Sequence, residues 1–418
     1  MRVIYSVLLY ILYPIPLLLT LQQAAARAGG IRYVLQRLGL ARFQGEKAAQ
    51  QRLWFHAASV GEVTSLFPLL IALSRENELS LTVSVNTPEA IRALEKFCEQ
   101  YELARIQSCY LPLDFYFSTR RFIKQLKASK LIVVETEIWP NLFAEASRSG
   151  LELLLINARL SDKTMSAPRA LKGLYQHALN CVDRVGCRDE HNSARYVDLG
   201  AQPDTVSILG NLKRCAVVVS KDLPSAVIAP TAKLPNRDYV LVISSRPDEE
   251  RLIWTAWRGR EDKPLLVIAP RHLSRIDEVV ASLSQAGASV SLLSSFDAGS
   301  APDVLLIDSM GLIQHFLPGA LLAIIGGSFA PFGGHNVLEP ALQGKTVVVG
   351  PHTENVDEDV VWLQELGVLI QLEAEALGNL DLDSMKGDDS SDAAWKVKSE
   401  SEKILATYID FISGAERG

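Results

Sequence analysis

Two short motifs in the first half of the chain place carboxylates directly after apolar runs. Glu62 lies in HAASVGEV, where Ser59 and Gly61 form a small-residue turn and the acid opens the next helical run. The positive end of a helix dipole favours a carboxylate there, and a carboxylate at the mouth of a ligand cleft has the chemistry of a general base. The alternative interpretation of Glu62 is an ordinary acid at a helix start.

The second acidic motif is ETEIWPNL, which carries Glu135 and Glu137 at the end of an apolar run. Side chains alternate along a strand, so we expect these two carboxylates to share one face. Acids at the end of a buried strand are costly to desolvate and need a task or a partner. The alternative to a functional role is structural pairing with arginine.

Basic residues close two other apolar runs. Lys213 ends GNLK, while Arg271 and His272 end APRH. Arginine suits bidentate contact with phosphate, so APRH predicts an anion-binding turn. A surface turn and a solvated lysine are the alternatives.

The longest motif is GGSFAPFGGHNVLEPA at residues 326–341. Its glycines let the backbone approach a ligand closely, and His335, Asn336 and Glu339 stand where the loop runs into a helix. A glycine-rich loop before a helix N-terminus predicts an anion site, in which Glu339 would accept hydrogen bonds from sugar hydroxyls. The sequence has no GxxxxGK[ST] motif and no GxGxxG after its first strand, which argues against P-loop and dinucleotide sites.

Alternating strand-like and helix-like runs must position these motifs. Short apolar runs bounded by turn residues predict buried parallel strands. In the first half these are 53–56, 81–86, 131–137, 151–157 and 206–209, and in the second half 239–245, 264–270, 290–293, 304–308, 321–327 and 346–350. Helices are predicted around Val63–Leu73, at Pro140–Arg148 and at about Ala393–Ile412.

This alternation predicts an α/β protein with two doubly wound, Rossmann-like domains and a ligand cleft between them. We expect a first domain at 26–214, a Pro- and Ala-rich linker at 215–237 and a second domain at 238–418. The formal net charge of −6 argues against non-specific nucleic-acid binding. The five cysteines form no CxxC pair, which fits a reducing compartment without a zinc site or disulfide frame.

The first 25 residues predict a membrane anchor. Residues 3–21 carry no charge, and about 19 residues at 1.5 Å each come close to the roughly 30 Å of a hydrocarbon core. Pro14 and Pro16 each remove a backbone donor, so a kinked or surface-lying helix is the alternative to a straight span.

Basic residues follow this apolar segment and set its expected orientation. By the positive-inside rule they keep the domains behind them on the cytoplasmic side, and they suit an anionic lipid surface. A cleaved signal peptide is the rival interpretation, because Ala24–Ala26 is similar to a cleavage site. The basic residues are Arg27, Arg32, Arg37, Arg42, Lys47 and Arg52.

Taken together, the motifs resemble the 3-deoxy-D-manno-octulosonic acid (Kdo) transferases, which are glycosyltransferases of the two-Rossmann GT-B fold. The matching runs appear in family order between residues 53 and 353, and the N-terminal apolar segment matches as well. They are WFHAASVGE, YLPLD, ETEIWPNL, INARLS, GNLK, APRH, GGSFAPFGGHNVLEPA and GPHT.

The resemblance implies transfer of Kdo from CMP-Kdo to a lipid A precursor, lipid IVA, at the inner face of the cytoplasmic membrane, in lipopolysaccharide core biosynthesis. It implies that Glu62 is the base and that Glu137 belongs to the acceptor side. Arg271 and a helix N-terminus would meet the departing phosphate, so direct, inverting attack without metal or cofactor is expected. The residues implied on the CMP-Kdo side are Lys213, Arg271, His272, Ser328, Gly334, His335, Asn336 and Glu339.

Some runs depart from the family pattern. SSRPDEE at 244–250 stands where the family usually has a run like STHEGEE, and GNLK is followed by Arg-Cys instead of Phe-Asp. These departures keep two alternatives open. One is a divergent GT-B enzyme with another nucleotide-sugar donor or acceptor, and the other is an inactive homologue that binds lipid.

Overall fold

The computed structural model describes residues 2–26, 29–40, 51–76, 78–216, 237–296, 301–383 and 389–414. The chain divides into two compact units. The first comprises Met1–Asp222 together with Ser401–Gly418, and the second comprises Leu223–Glu400. Each contains a parallel sheet with helices, which confirms the prediction of two α/β domains.

The first unit is built on a seven-stranded parallel sheet in the order β3-β2-β1-β4-β5-β6-β7. Its strands are β1 Gln51–His56, β2 Leu79–Val85, β3 Ile106–Tyr110, β4 Lys130–Val134, β5 Glu152–Ala158, β6 Arg184–Cys187 and β7 Val206–Ile208. The helices after the N-terminal segment are α4 Val60–Ser74, α5 Pro88–Gln100, α6 Tyr116–Leu126, α7 Pro140–Arg148, α8 Asp162–Met165, α9 Arg169–Leu179 and α10 Glu190–Leu199. Apolar side chains on both faces of the sheet form its core.

The second unit repeats this architecture with the strand order β10-β11-β9-β8-β12-β13-β14. Its strands are β8 Tyr239–Ser245, β9 Leu265–Pro270, β10 Val290–Leu292, β11 Val304–Leu306, β12 Leu322–Ile325, β13 Thr346–Val349 and β14 Leu369–Gln371. Its helices are α11 Glu249–Trp257, α12 Ile276–Gln285, α13 Ile313–Phe316, α14 Leu338–Leu342 and α15 Asp357–Glu365, and α16 Asp389–Ser413 follows.

Three strands were missed by the sequence patterns, namely β3, β6 and β14. Strand β3 reads IQSCY and β6 reads RVGC, so polar or small residues interrupt the apolar run. Strand β14 has only three residues. The predicted strand at 131–137 ends earlier, at Val134, because Glu135 takes a left-handed backbone conformation with φ 60°.

The last helix, α16, bears on the predicted domain boundaries. The second domain was predicted to run from 238 to 418, but residues 401–418 group with the first unit. The physical reason is that Leu405, Tyr408 and Phe411 are buried in that unit's core, where the Tyr408 hydroxyl donates to the Gly210 carbonyl at 2.7 Å. Most of the predicted linker at 215–237 lies outside the described residues.

The N-terminal apolar segment forms two helices instead of one. Helix α1 covers Arg2–Ile11 and α2 covers Pro14–Ala26, and the pair is bent by 62° at the break between them. Within the described residues, no single helix is long and apolar enough to cross a membrane. Taken together, α1 and α2 have the length and the apolar composition of a span, but they are bent where they meet. A short helix, α3, follows at Gly30–Arg37. Of the basic residues after the segment, Arg27, Arg42 and Lys47 lie outside the described residues.

Candidate active site

In the first unit, the chemistry-bearing residues collect where the strand order reverses. Strands β1 and β4 are neighbours there, with His56 at the end of β1 aligned to Val133 of β4. In doubly wound sheets, ligands bind outside the carboxyl ends of the strands at this switch point. Glu62 follows β1, while Glu135 and Glu137 follow β4.

The Glu62 carboxylate is held by the start of helix α4. Ser59 is the N-cap, and its hydroxyl accepts from the Glu62 N–H at 3.3 Å and donates to Glu62 Oε1 at 2.8 Å. The Ala58 N–H donates to Glu62 Oε2 at 2.7 Å. This arrangement is similar to a capping box, except that the carboxylate accepts from the N–H of the residue before the N-cap. Glu62 therefore also has the structural role of an acid at a helix start.

The electrostatic setting of Glu62 is nevertheless unlike that of a surface acid. Partial burial raises the pKa of Glu62, and the charges of Glu137 and Glu135 raise it further, against the hydrogen bonds from Ala58 and Ser59. Three carboxylates therefore influence one another at the switch point. A raised pKa makes Glu62 a better proton acceptor than an ordinary glutamate.

Glu137 is fixed by a buried histidine and a tryptophan. The Trp139 Nε1–H donates to Glu137 Oε2 at 2.8 Å, and His56 Nε2 lies 3.8 Å from the same oxygen. Burial opposes ionisation of Glu137, but His56, Trp139 and Arg37 together lower its pKa below the usual value. Glu137 is thus a stable anion beside Glu62.

His56 was not assigned a role from sequence. It is completely buried, and its Nδ1 lies 3.0 Å from both the carbonyl oxygen and the hydroxyl of Ser84. Its other ring nitrogen, Nε2, faces Glu137. The available signal was a histidine that directly follows the apolar residues Leu53, Trp54 and Phe55.

Glu135 does not share a strand face with Glu137, so that expectation is wrong. The strand stops at Val134, and φ 60° at Glu135 turns its side chain away. Glu135 Oε1 instead pairs with Lys213 Nζ at 3.2 Å. The GNLK lysine thus belongs to the carboxylate group of the first unit.

In the second unit, basic side chains gather after the ends of β8, β9 and β12. Arg246 Nε donates to His335 Nε2 at 3.1 Å, and Arg246 Nη1 lies 3.2 Å from His272 Nε2. Burial lowers the pKa of His335, as do the positive charges of Arg246 and Arg271 and the nearby His272. The predicted residues Arg271, His272 and His335 are therefore close enough to interact, and Arg246 joins them.

A buried carboxylate, Glu249, connects the turn of Arg246 to the glycine-rich run. Glu249 Oε2 accepts from the N–H groups of Arg246 at 2.8 Å and Gly327 at 2.6 Å. Glu249 Oε1 accepts from Phe329 at 2.9 Å and Ala330 at 3.2 Å. Sequence reasoning missed Glu249, because its four partners cannot be read from local spacing.

The glycine-rich run differs from the predicted loop and helix start in one respect. Helix α14 begins only at Leu338 and has five residues, so Glu339 lies in its first turn. The backbone of the run is folded back on itself, with the Gly334 N–H donating to the Gly327 carbonyl at 2.7 Å. A Cβ on Gly327, which has φ 74°, would stand 3.0 Å from the His335 ring. Glycine is therefore needed there to admit the imidazole.

The other residues predicted for the donor side take different positions in this run. Ser328 is completely buried; its hydroxyl donates to the Ile325 carbonyl at 2.5 Å and accepts from the Gly350 N–H at 2.8 Å. Its hydroxyl therefore holds the loop through one donated and one accepted hydrogen bond. Asn336 is exposed and accepts from the Leu338 N–H at 3.0 Å, whereas burial raises the pKa of Glu339.

Comparison with known proteins decides the family. The family model described as 3-Deoxy-D-manno-octulosonic-acid transferase (kdotransferase) matches residues 32–216. A 3-deoxy-D-manno-octulosonic acid transferase of Bordetella pertussis is 31% identical over 364 residues, which cover 85% of this chain and 84% of that protein. The chain belongs to this transferase family. The resemblance seen in the sequence motifs is thereby confirmed, and the chain is a member of a family of glycosyltransferases.

Other Kdo transferases and several solved structures are also similar. The Haemophilus influenzae transferase is 29% identical, over 78% of this chain and 77% of that protein. The Rickettsia bellii transferase is 26% identical over 98% of both chains. A Neisseria meningitidis UDP-GlcNAc 2-epimerase shares the fold with a TM-score of 0.57 and 14% identity, covering 86% of this chain and 100% of that one.

Proposed function

We propose that the protein transfers Kdo from CMP-Kdo to a lipid A precursor, lipid IVA, without a metal ion. The observation that carries the proposal is Glu62, whose carboxylate is fixed at the switch point of the first unit with a raised pKa. Family membership supplies the class of reaction. The cationic group of the second unit supplies the chemistry that a departing phosphate needs.

The reaction forms a bond between an acceptor hydroxyl oxygen and the anomeric carbon of Kdo. It breaks the bond between that carbon and the phosphate oxygen of CMP, which leaves with the bonding electron pair. Glu62 takes the hydroxyl proton as the oxygen attacks. A single displacement of this kind inverts the anomeric configuration.

The remaining residues divide between the two substrates. Glu137, kept ionised by His56, Trp139 and Arg37, belongs to the acceptor side. Arg271, His272 and His335 meet the phosphate of the donor, while Glu339 and Asn336 accept and donate hydrogen bonds to its hydroxyls. Ser328 and Gly334 position the loop, and Lys213, which pairs with Glu135, belongs with the carboxylates of the first unit instead of the donor side.

A direct test is transfer by the purified full-length protein with freshly generated CMP-Kdo and lipid IVA, read by mass spectrometry of the lipid. A mass gain of one or more Kdo units supports the proposal. Calorimetric titration with CMP provides the second readout. Binding of CMP without any mass gain, across acceptors of different acylation, would contradict the proposed reaction.

The pH dependence of transfer tests Glu62 as the base. A carboxylate base works when ionised, so kcat/KM falls as the pH drops through its pKa. Burial raises the pKa of Glu62, so the acid limb is expected at higher pH than for an ordinary glutamate. Because the Ser59 hydroxyl lowers this pKa, Ser59→Ala should move the limb to higher pH. Thr64→Ala, whose hydroxyl bonds the Gly61 carbonyl instead, is the control, and an equal shift in both variants would refute the assignment.

We also propose that helix α1 attaches the enzyme to the cytoplasmic face of the membrane. One side of α1 is tied to the first unit: the Tyr5 hydroxyl donates to Asp114 Oδ2 at 3.0 Å, and Ser6 Oγ donates to Asn141 Oδ1 at 2.9 Å. The other side is apolar and 51–74% exposed, at Val3, Ile4, Val7, Leu8 and Ile11. Ten residues reach only about 15 Å, so this face suits shallow insertion at the lipid surface.

Charge on that face should weaken membrane attachment. For Val7→Glu we expect the dissociation constant for phosphatidylglycerol–phosphatidylethanolamine vesicles to rise about tenfold, since an apolar contact is lost and an anion meets an anionic surface. Val361→Glu is the matched control, because Val361 is similarly exposed but lies in the second unit. Equal effects of the two substitutions would exclude α1 as the attachment.

A further inference from the structure

We infer that Arg246 is an additional oxyanion-binding residue of the donor site, in a segment where this chain departs from its family. The inference rests on the proposed function for the identity of the donor. Arg246 is half-buried, and its guanidinium contacts two imidazoles and the face of the Phe332 ring, 5.3 Å from the ring centroid. The sequence marked it only as part of the departing run SSRPDEE, without a role.

The guanidinium of Arg246 has hydrogen-bond partners but no anionic one among the described residues. An arginine is always charged and only donates, so the nitrogens of His335 and His272 that face it must be unprotonated acceptors. Arg246 thus donates two hydrogen bonds to neutral partners. Among the residues that the structure describes, no carboxylate side chain forms an ion pair with Arg246 or Arg271.

Like charges held this close repel each other, and the repulsion disfavours the protonated form of His335. Its pKa is lowered by burial and by the nearby Arg246, Arg271 and His272. An anion placed among these groups relieves the repulsion and replaces neutral acceptors by a charged one. Hydrogen bonds between ionised partners are shorter and stronger than those to neutral nitrogen. The chemistry of the cluster therefore fits an oxyanion.

The backbone holds Arg246 in place before any ligand arrives. Its N–H is bound by Glu249 Oε2 at 2.8 Å, the same oxygen that binds the Gly327 N–H at 2.6 Å. The residues on either side are constrained as well, with Pro247 following directly and left-handed backbone at Ser244, φ 60°, and Asp248, φ 71°. Such fixed placement reduces the ordering cost of binding.

The proposed donor offers two oxyanions, the phosphate of its CMP part and the carboxylate of its sugar acid. Both match the planar fork of arginine. Titrations with CMP, with cytidine and with inorganic phosphate measure how much of the binding depends on the phosphate. The KM for CMP-Kdo shows whether the carboxylate of the sugar acid contributes as well.

The test compares Arg246→Gln with Arg251→Gln in the full-length protein. Arg251 is an exposed arginine on the neighbouring helix α11, so the two variants lose the same charge. If the phosphate is the ligand, Arg246→Gln weakens CMP binding about ten- to a hundredfold and leaves cytidine binding unchanged. If the carboxylate is the ligand, CMP binding is unchanged and the KM for CMP-Kdo rises by a similar factor. Either result supports the inference.

Histidine NMR provides a readout that does not depend on turnover. The chain has seven histidines, so the ring signals of His272 and His335 can be assigned with single substitutions. Inorganic phosphate should shift both signals in the wild type and in Arg251→Gln but not in Arg246→Gln. Unchanged CMP affinity, KM and phosphate response in Arg246→Gln would overturn the inference. A wild type that shows the phosphate response but transfers no Kdo would contradict the proposed function and leave the oxyanion site standing.

Discussion

Replacing Glu62 by glutamine is expected to reduce Kdo transfer by about a thousandfold or more. Removal of a general base typically costs 10²–10⁴ in rate, and Glu62 is the half-buried carboxylate whose pKa is raised by burial and by its two acidic neighbours. Glutamine keeps the size and the acceptor oxygen but cannot take a proton. The measurement is the initial rate of transfer to lipid IVA at saturating CMP-Kdo.

Glutamine is the right substitution because Glu62 has a structural task as well. Its carboxylate accepts from the Ala58 N–H and the Ser59 hydroxyl at the start of α4, and glutamine also serves at this position of a capping box. The helix should therefore persist, with CMP affinity and melting temperature close to those of the wild type. Glu62→Ala would remove these two hydrogen bonds and the base together.

Ser59→Ala tests the structural role of the helix start while the base is kept. It removes the N-cap, which costs about 1 kcal/mol of stability, but it leaves the carboxylate. A large loss of transfer in Ser59→Ala together with near-normal transfer in Glu62→Gln would assign the loss to the helix start. The base would then have to be sought at Glu135 or Glu137.

The sequence patterns located the secondary structure best where its signals are local. Helix α7 runs from Pro140 to Arg148 as predicted, because proline at the first helical position marks a start. Most buried parallel strands were recognised from an apolar run between turn residues. Strands β3 and β6 were missed because polar or small residues interrupt their runs, and nothing in the structure explains why the short strand β14 was missed.

The sequence motifs named candidate residues of the site, but they did not show which of these residues contact each other. The motifs gave Glu62, Glu137, Arg271 and His335, each next to a strand end or in a glycine-rich run. They did not show that Glu135 leaves the strand with φ 60° to meet Lys213, because a backbone turn inside an acidic run has no periodic signature.

Contacts between residues distant in sequence were inaccessible for a simple reason. His56 approaches Glu137 across two adjacent strands, and Glu249 binds N–H groups about eighty positions further along the chain. Each depends on which strands become neighbours, and spacing along the chain carries no such information. Arg246 was noted only within a run that departs from the family, and its contacts with His272 and His335 were missed for the same reason.

Loss of Glu249 is expected to abolish donor binding and to destabilise the second unit. The carboxylate is completely buried and accepts from four backbone N–H groups, two of which hold Arg246 and Gly327 on the same oxygen. Each donor left buried without an acceptor costs about 1–3 kcal/mol, so Glu249→Ala should lose about 3 kcal/mol or more of unfolding free energy. CMP affinity should fall more than a hundredfold, because the turn and the glycine-rich run lose their common anchor.

The adjacent Glu250 provides the control that separates this role from stability alone. Glu250 is also buried, but it pairs with Ser245 and Arg275 and makes no hydrogen bond to the glycine-rich run among the described residues. Glu250→Ala should therefore lower stability as well, because it leaves Arg275 without that partner. At temperatures where it is folded, it should preserve CMP binding and the phosphate response of His335.

Glu249→Gln, which keeps one acceptor oxygen and presents an amide to the remaining donors, should fold more stably than Glu249→Ala and still bind CMP poorly. Equal CMP affinity in Glu249→Gln and Glu250→Ala would mean that the loop is organised by other contacts, since only the first of these carboxylates reaches it.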